Sequence, residues 1–162
     1  MHGGHGEHGG MSQEMVRHHY LMLGVNLLLS LIVMYVAMFA MIWTWGEFVQ
    51  NINFFYMALV MWAPMAAIML LTMRPMYPNR KLNSVLYLAF AAVFVLSLIG
   101  IREQSFVGDR QFLRSMIPHH SGAVLMCEKA KITDPEIQTL CQGIISSQTS
   151  EIDQMKAILE RK

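Results

Sequence analysis

Three stretches of the chain carry no charged side chain: Tyr20 to Gly46, Phe48 to Met73 and Leu82 to Ile101. Each supplies about the 20 apolar residues that an α-helix needs to cross roughly 30 Å of hydrocarbon. A single Lys or Arg in mid-membrane would cost about 2.5–3.5 kcal/mol, and these runs contain none. One such run fits inside a soluble core; three in succession cannot share so small a core. The pattern predicts three membrane-spanning helices. The first run is too long for the apolar region of a signal peptide, and a Gly/His tail precedes it instead of a basic segment, so it is read as a retained helix.

Around the spans the pattern changes twice. Residues 1–17 are rich in Gly and His with no apolar period, and read as a disordered tail ahead of the membrane helices at 18–101. After a connector containing Gly108, residues 109–162 interleave charges with apolar positions at helical spacing. Asp109 is placed to cap one helix. Asp134 and Pro135 then offer a cap and a first-turn proline for a second, running to about Leu159. A tight turn near Thr133 makes the two helices antiparallel neighbours. The fold class is all-α: a three-helix membrane bundle followed by a helical hairpin.

Charge adds an orientation. The loop after the second span holds Arg74, Arg80 and Lys81, whereas the loop after the first contains only Glu47. Positive loops stay in the cytoplasm, which puts the N-terminus there and the hairpin outside, against the opposing pull of Arg102, Arg110 and Arg114. Tyr20, Trp43, Trp45 and Tyr77 fall near span ends, where interfacial aromatics belong. The chain is 54% hydrophobic and 14% charged with a net charge of +1, which gives no footprint for nucleic acid.

The second span places Met57, Met61, Met65, Met69 and Met73 at four-residue steps. Each step overshoots a full turn by about 40°, so the sulfurs wind across about 160° of the helix surface. A thioether path for Cu(I) is one reading. Flexible apolar packing is the simpler one and is preferred, since no buried charge marks an ion route.

The hairpin carries the chemistry. Residues equidistant from the turn face one another: Met116 with Glu151, His119 and His120 with Gln148, Met126 with Cys141, and Phe112 with Met155. Met116, His119 and Met126 share a face of the first helix, with His120 and Cys127 at its edge. Cys141, Gln148, Glu151 and Met155 form the answering stripe. Imidazoles and thioethers converging between two helices suit copper, with Cu(I) preferred and Cu(II) possible. Pro118 frees the Arg114 carbonyl and is placed to kink the helix just before the histidines. Met126 lies about 10 Å along the axis from His119, which implies more than one copper position. Cys127 and Cys141 are expected to be close. An oxidising compartment favours a disulfide between them, and thiolate ligation of copper is the alternative. His2, His5 and His8, spaced by three among glycines, could form a weak, labile metal site in the tail, the alternative being a flexible tail without function.

The string Phe112-Leu113-Arg114-Ser115-Met116-Ile117-Pro118-His119-His120-Ser121-Gly122-Ala123-Val124-Leu125-Met126 is followed by Asp134-Pro135-Glu136-Ile137 and Gln148-Thr149-Ser150-Glu151-Ile152-Asp153-Gln154-Met155. Together these resemble the domain of unknown function 305 family, which includes CopM-like copper-binding proteins of the bacterial periplasm. The resemblance covers about residues 109–160. It implies a ferritin-like helical bundle, usually built from two copies of the hairpin. It also implies copper ligands at Met116, His119, His120, Met126 and Met155, supported by Gln148 and Glu151. This chain has one hairpin and places Cys127 and Cys141 where small residues are usual. A second copy of the chain is therefore expected to complete a four-helix bundle, most simply as a dimer.

The expected function is a membrane-anchored protein of the bacterial inner membrane that sequesters copper outside the cytoplasm or hands it to an accepting protein, without catalysis. Its partners are then the metal ion, the lipid bilayer and a second copy. The alternatives are an interaction or sensor module with incidental metal, and a cuprous oxidase. The Glu-x-x-His pairs of a di-iron oxidase are absent from the sequence.

Overall fold

A computed structural model describes residues 12–162, and every regular element in them is helical. The helices are α1 (Gln13–Ala37), α2 (Ile52–Thr72), α3 (Arg80–Arg102), α4 (Asp109–Lys129) and α5 (Pro135–Arg161). The first three are long and apolar enough to cross a membrane. Their outward faces are large aliphatics such as Leu21, Val33, Val85 and Leu88, at 61–72% exposure. Such faces are at home only in lipid, where a helix also satisfies its own backbone. The chain is a three-span membrane protein.

Two boundaries differ from the sequence expectation. The tail does not extend to residue 17: Ser12 caps α1 by accepting from the Met15 N–H at 3.3 Å, and Glu14 follows in the first turn, where the helix dipole favours an acid. The first span also stops short of Gly46. At its end Phe39 turns inward onto Phe48 and Phe54, with ring centroids 4.2 and 4.9 Å away. That aromatic cluster holds residues 38–51 as a compact crossover containing a 3-10 turn at Trp45–Glu47.

The middle helix of the bundle is α2, packed on both α1 and α3. It buries Ala58, Ala63 and Ala66, and α3 answers with Ser97 and Gly100. Small side chains let helices approach closely where the hydrophobic effect does not push them together. At Gly100 the approach is tight, since a Cβ there would lie 3.0 Å from the Tyr56 ring. The Tyr56 hydroxyl is itself tied to the Ser105 carbonyl at 3.0 Å. Of the methionine series, Met57 and Met61 are 45% and 46% exposed, and Met65 and Met69 are half-buried. Met73, the last of them, is exposed again at 36%, so the series drifts across the helix surface as its spacing requires and only its middle members are covered.

The hairpin forms as the caps foretell, with one change. Gly108, not Asp109, is the N-cap of α4; Asp109 sits in the first turn, and its carboxylate meets the Lys162 ammonium. Asp134 caps α5 by accepting from the Glu136 and Ile137 N–H groups at 2.8 and 3.1 Å. Leu113 and Ile117 of α4 pack with Ile152 and Met155 of α5, and Val49 of the crossover joins them. The hairpin thus rests on the membrane bundle.

The bundle has two distinct ends. At one, α4 packs on the crossover and the start of α2. At the other, the Tyr20 hydroxyl of α1 donates to Asn83 of α3 at 2.7 Å, and the Tyr20 ring lies 5.2 Å from that of Tyr77 in the basic loop.

Candidate metal centre in the helical hairpin

Of the two adjacent histidines, only His120 is buried; His119 is exposed, and their ring centroids are 6.0 Å apart. The difference is positional. Consecutive helix residues point about 100° apart, and His120 lies on the face that continues Leu113, Ile117 and Val124 toward α5. Its Nδ1 is 3.0 Å from the Met116 carbonyl one turn back, and its Nε2 is 2.8 Å from Oε2 of Glu151 on α5. A carboxylate only accepts, so Nε2 donates in this arrangement. Metal binding at Nε2 must displace that proton.

Gln148 stands three residues before Glu151 and so shares its face of α5. Its Oε1 is buried without a hydrogen-bond partner, as is Nε of Arg114 on α4. A buried polar atom left unpaired costs about 1–3 kcal/mol, so the Gln148 oxygen, on the Glu151 face of α5, is an acceptor free to serve an ion, whereas the Arg114 nitrogen, a cationic donor, is not. Met116 is half-buried against the apolar cluster that contains Met155. Met126 stands apart, 56% exposed, beyond the His120 level toward the turn. His120, Glu151, Gln148 and Met116 therefore belong to one neighbourhood, Met155 to its apolar floor, and His119 to its outer edge. Among the described residues no group of three His, Cys, Asp or Glu side chains could hold an ion without help from other donors.

The facing register needs correction away from the turn. Cys127 and Cys141 meet as expected, but Glu151 pairs with His120, one turn from its expected neighbour Met116. The helices diverge from strict equidistance as they cross, and long Glu and His side chains span the offset. The cysteines also resolve. They form a disulfide with Cα atoms 5.3 Å apart, so Cys127 and Cys141 are not thiolate ligands for copper. His2, His5 and His8 lie outside the described residues.

What the sequence reading passed over is the way this neighbourhood is anchored. Ser121, next to His120 and fully buried, donates to Oε2 of Glu47 at 2.5 Å and accepts from the Trp43 N–H at 2.5 Å. The same Glu47 oxygen accepts from the Thr44 N–H at 3.0 Å, and its other oxygen lies 3.6 Å from the Lys156 ammonium on α5. Burial opposes ionisation of Glu47. The hydrogen bonds from Ser121 and Thr44, with the Lys156 charge, outweigh it and hold the carboxyl below its usual range. Earlier on α4, Ser115 accepts from the Asn53 amide at 3.1 Å, and Gln111 accepts from the Ile52 N–H at 3.2 Å, covering the N-terminus of α2. The sequence held one signal of this latch: Thr44-Trp45-Gly46-Glu47 has the spacing of a capping box.

Residues 98–159 match the family described as domain of unknown function 305, a stretch that takes in the end of α3 and almost all of the hairpin. An uncharacterised protein of Acanthamoeba polyphaga mimivirus is 32% identical over 119 residues, covering 72% of this chain and 76% of the relative. So long an aligned stretch cannot avoid α2 and α3, so the likeness includes membrane helices as well as hairpin. No solved structure matches the chain. The chain belongs to the domain of unknown function 305 family, with the hairpin carried behind three membrane-spanning helices.

Proposed function

We propose that this protein holds copper at the hairpin, beside the membrane surface, and sequesters it or passes it to an accepting protein without catalysis. The observation that carries this reading is His120: buried between two helices, fixed by the Met116 carbonyl at one nitrogen, and aimed by the other at Glu151, with the unpaired Gln148 oxygen one turn away. Carbonyl hydrogen bonding at one ring nitrogen is how proteins orient a ligating imidazole. The remaining donors are thioether, amide and a single carboxylate, which suits a soft ion better than a closed zinc site with three or four N, O or S⁻ ligands. Copper here is cargo. His120 and Met116 would bind it, His119 and Met126 would offer an outer approach, and the proton that the metal displaces from Nε2 would leave by way of Glu151, which accepts it in the metal-free hairpin.

The basic loop at the opposite end supports an orientation with Arg74, Arg80 and Lys81 in the cytoplasm and the hairpin outside, in a bacterial inner membrane or its equivalent. A disulfide between Cys127 and Cys141 accords with an oxidising compartment. Ile137 and Leu140 of α5, at 48% and 61% exposure, leave an apolar strip that a second copy would cover to complete a four-helix bundle.

Copper titration of the full-length protein in detergent tests the reading. The doubly substituted His119→Ala/His120→Ala protein is expected to lose the tight hairpin site while remaining helical. Undiminished affinity and stoichiometry would refute it.

A further inference from the structure

At the end of the bundle away from the hairpin, α1, α2 and the turn after α2 line a half-open cavity of about 370 Å³. Its wall includes His18, His19, Met22, Met69, Met73 and Met76. The spacing explains why they meet. His18 and His19 lie four and three residues before Met22, on one face of α1, and Met69 and Met73 lie four apart on α2. A 3-10 turn at Arg74–Met76 then returns Met76 to the same side, closed by the Met76 N–H on the Met73 carbonyl at 3.0 Å.

The cavity is held in shape. Tyr20 donates to Asn83 at 2.7 Å, and the Asn83 amide donates to the Tyr77 carbonyl at 2.8 Å, which pins α1, the basic loop and α3 together. Within it, Nδ1 of His19 is 3.3 Å from the Met76 carbonyl. A ring nitrogen facing a carbonyl carries the proton, which leaves the lone pair on Nε2. That is the orientation a ligating imidazole receives from its supporting hydrogen bond. The donors are imidazole and thioether, with no third His, Cys, Asp or Glu among the described residues. Thioethers are poor ligands for hard ions and select Cu(I). Arg17 and Arg74 adjoin His18 and Met73 in sequence, and their repulsion weighs twice as heavily on a divalent cation as on a monovalent one.

We propose that this cavity is a second metal site, binding one Cu(I) through Nε2 of His19 and thioether sulfurs of Met69, Met73 and Met76, with His18 and Met22 at its rim. It lies across the membrane bundle from the hairpin and does not depend on metal binding there. It also gives Met69 and Met73, at the end of the α2 methionine series, a role that Met57 and Met61 do not share.

The test uses the detergent-solubilised protein with all its helices, lacking only residues 2–10 and carrying His119→Ala and His120→Ala, so that tail and hairpin imidazoles are gone. Anaerobic titration against a chromophoric Cu(I) chelator, with X-ray absorption at the copper edge, is expected to find one Cu(I) in a sulfur-rich shell with nitrogen. Adding Met69→Leu, Met73→Leu and Met76→Leu, swaps that conserve volume, is expected to weaken binding by about tenfold or more and remove the sulfur signal. His19→Gln keeps an amide donor for the Met76 carbonyl and is expected to weaken binding without loosening the bundle; it decides the matter if the triple variant does not fold. No Cu(I) on the starting protein, or unchanged affinity in the folded triple variant or in His19→Gln, overturns the proposal. The hairpin reading stands or falls separately, on the difference between the protein lacking only residues 2–10 and the starting variant.

Discussion

Ser121 of α4 and Glu47 of the membrane crossover share a hydrogen bond at 2.5 Å, both buried, at a point next in sequence to His120. This contact joins the candidate metal centre to the membrane bundle, because Ser121 also receives the Trp43 N–H and Glu47 also faces Lys156 of α5. Removing the Ser121 hydroxyl leaves a buried carboxylate short of a donor, at a cost of about 1–3 kcal/mol. Ser121→Ala is therefore expected to speed amide hydrogen exchange along α4 from Ser115 to Val124 and in residues 43–49. Exchange unchanged from the parent would show that the latch does not hold the hairpin down.

The same latch has a pH dependence of definite sign. The Glu47 carboxyl is held below its usual range when docked, so docking gains stability above the unfolded value, about 4.3 for Glu. That gain is lost as pH falls below this value and through the lower docked one. Protease sensitivity of residues 103–108 is expected to rise over that acid window in the parent and to be flatter in Glu47→Gln.

Metal affinity is expected to divide unequally between the two histidines. His120→Ala removes the buried imidazole together with its hydrogen bond to Glu151, whereas His119→Ala removes an exposed ring. Glu151→Gln, which keeps the shape and loses the charge, is expected to cost about 10–100-fold in copper affinity, as supporting residues of metal ligands do. Equal losses for His119→Ala and His120→Ala would contradict this ranking.

The Cys127–Cys141 bond closes a loop with a sequence separation of 14, for which the chain-entropy treatment gives about 3 kcal/mol. Cys127→Ser/Cys141→Ser is expected to lower the thermal midpoint of the hairpin and to leave copper stoichiometry unchanged. A loss of bound copper in a folded double variant would restore the cysteines as ligands.

At Gly100, a methyl group meets the Tyr56 ring, and that ring is tethered through its hydroxyl to Ser105. Gly100→Ala is expected to destabilise the bundle by about 1–3 kcal/mol, as overpacking does, measured by detergent-mixture unfolding. Combining it with Tyr56→Phe, which releases the tether, should recover part of the loss.

The sequence by itself determined the number of spans, because an apolar run long enough to cross a bilayer has few other stable destinations. It also determined the hairpin and its turn, since Asp134 and Pro135 act within a few residues of themselves. The closeness of Cys127 to Cys141 follows from the same tight turn. Only the tertiary structure decided which histidine is buried, because His119 and His120 differ by one step round a helix whose orientation is set by what it packs on. The crossing of α4 and α5 decided that Glu151 faces His120, and that angle has no local signature. Glu47 reads in the sequence as one acid in a short loop. Its partners Ser121 and Lys156 lie far along the chain, so its role exists only once the hairpin folds back on the crossover. The His18, His19 and Met76 cavity has the same origin: it needs the start of α1 and the turn after α2, remote in sequence, to be held side by side by Tyr20 and Asn83.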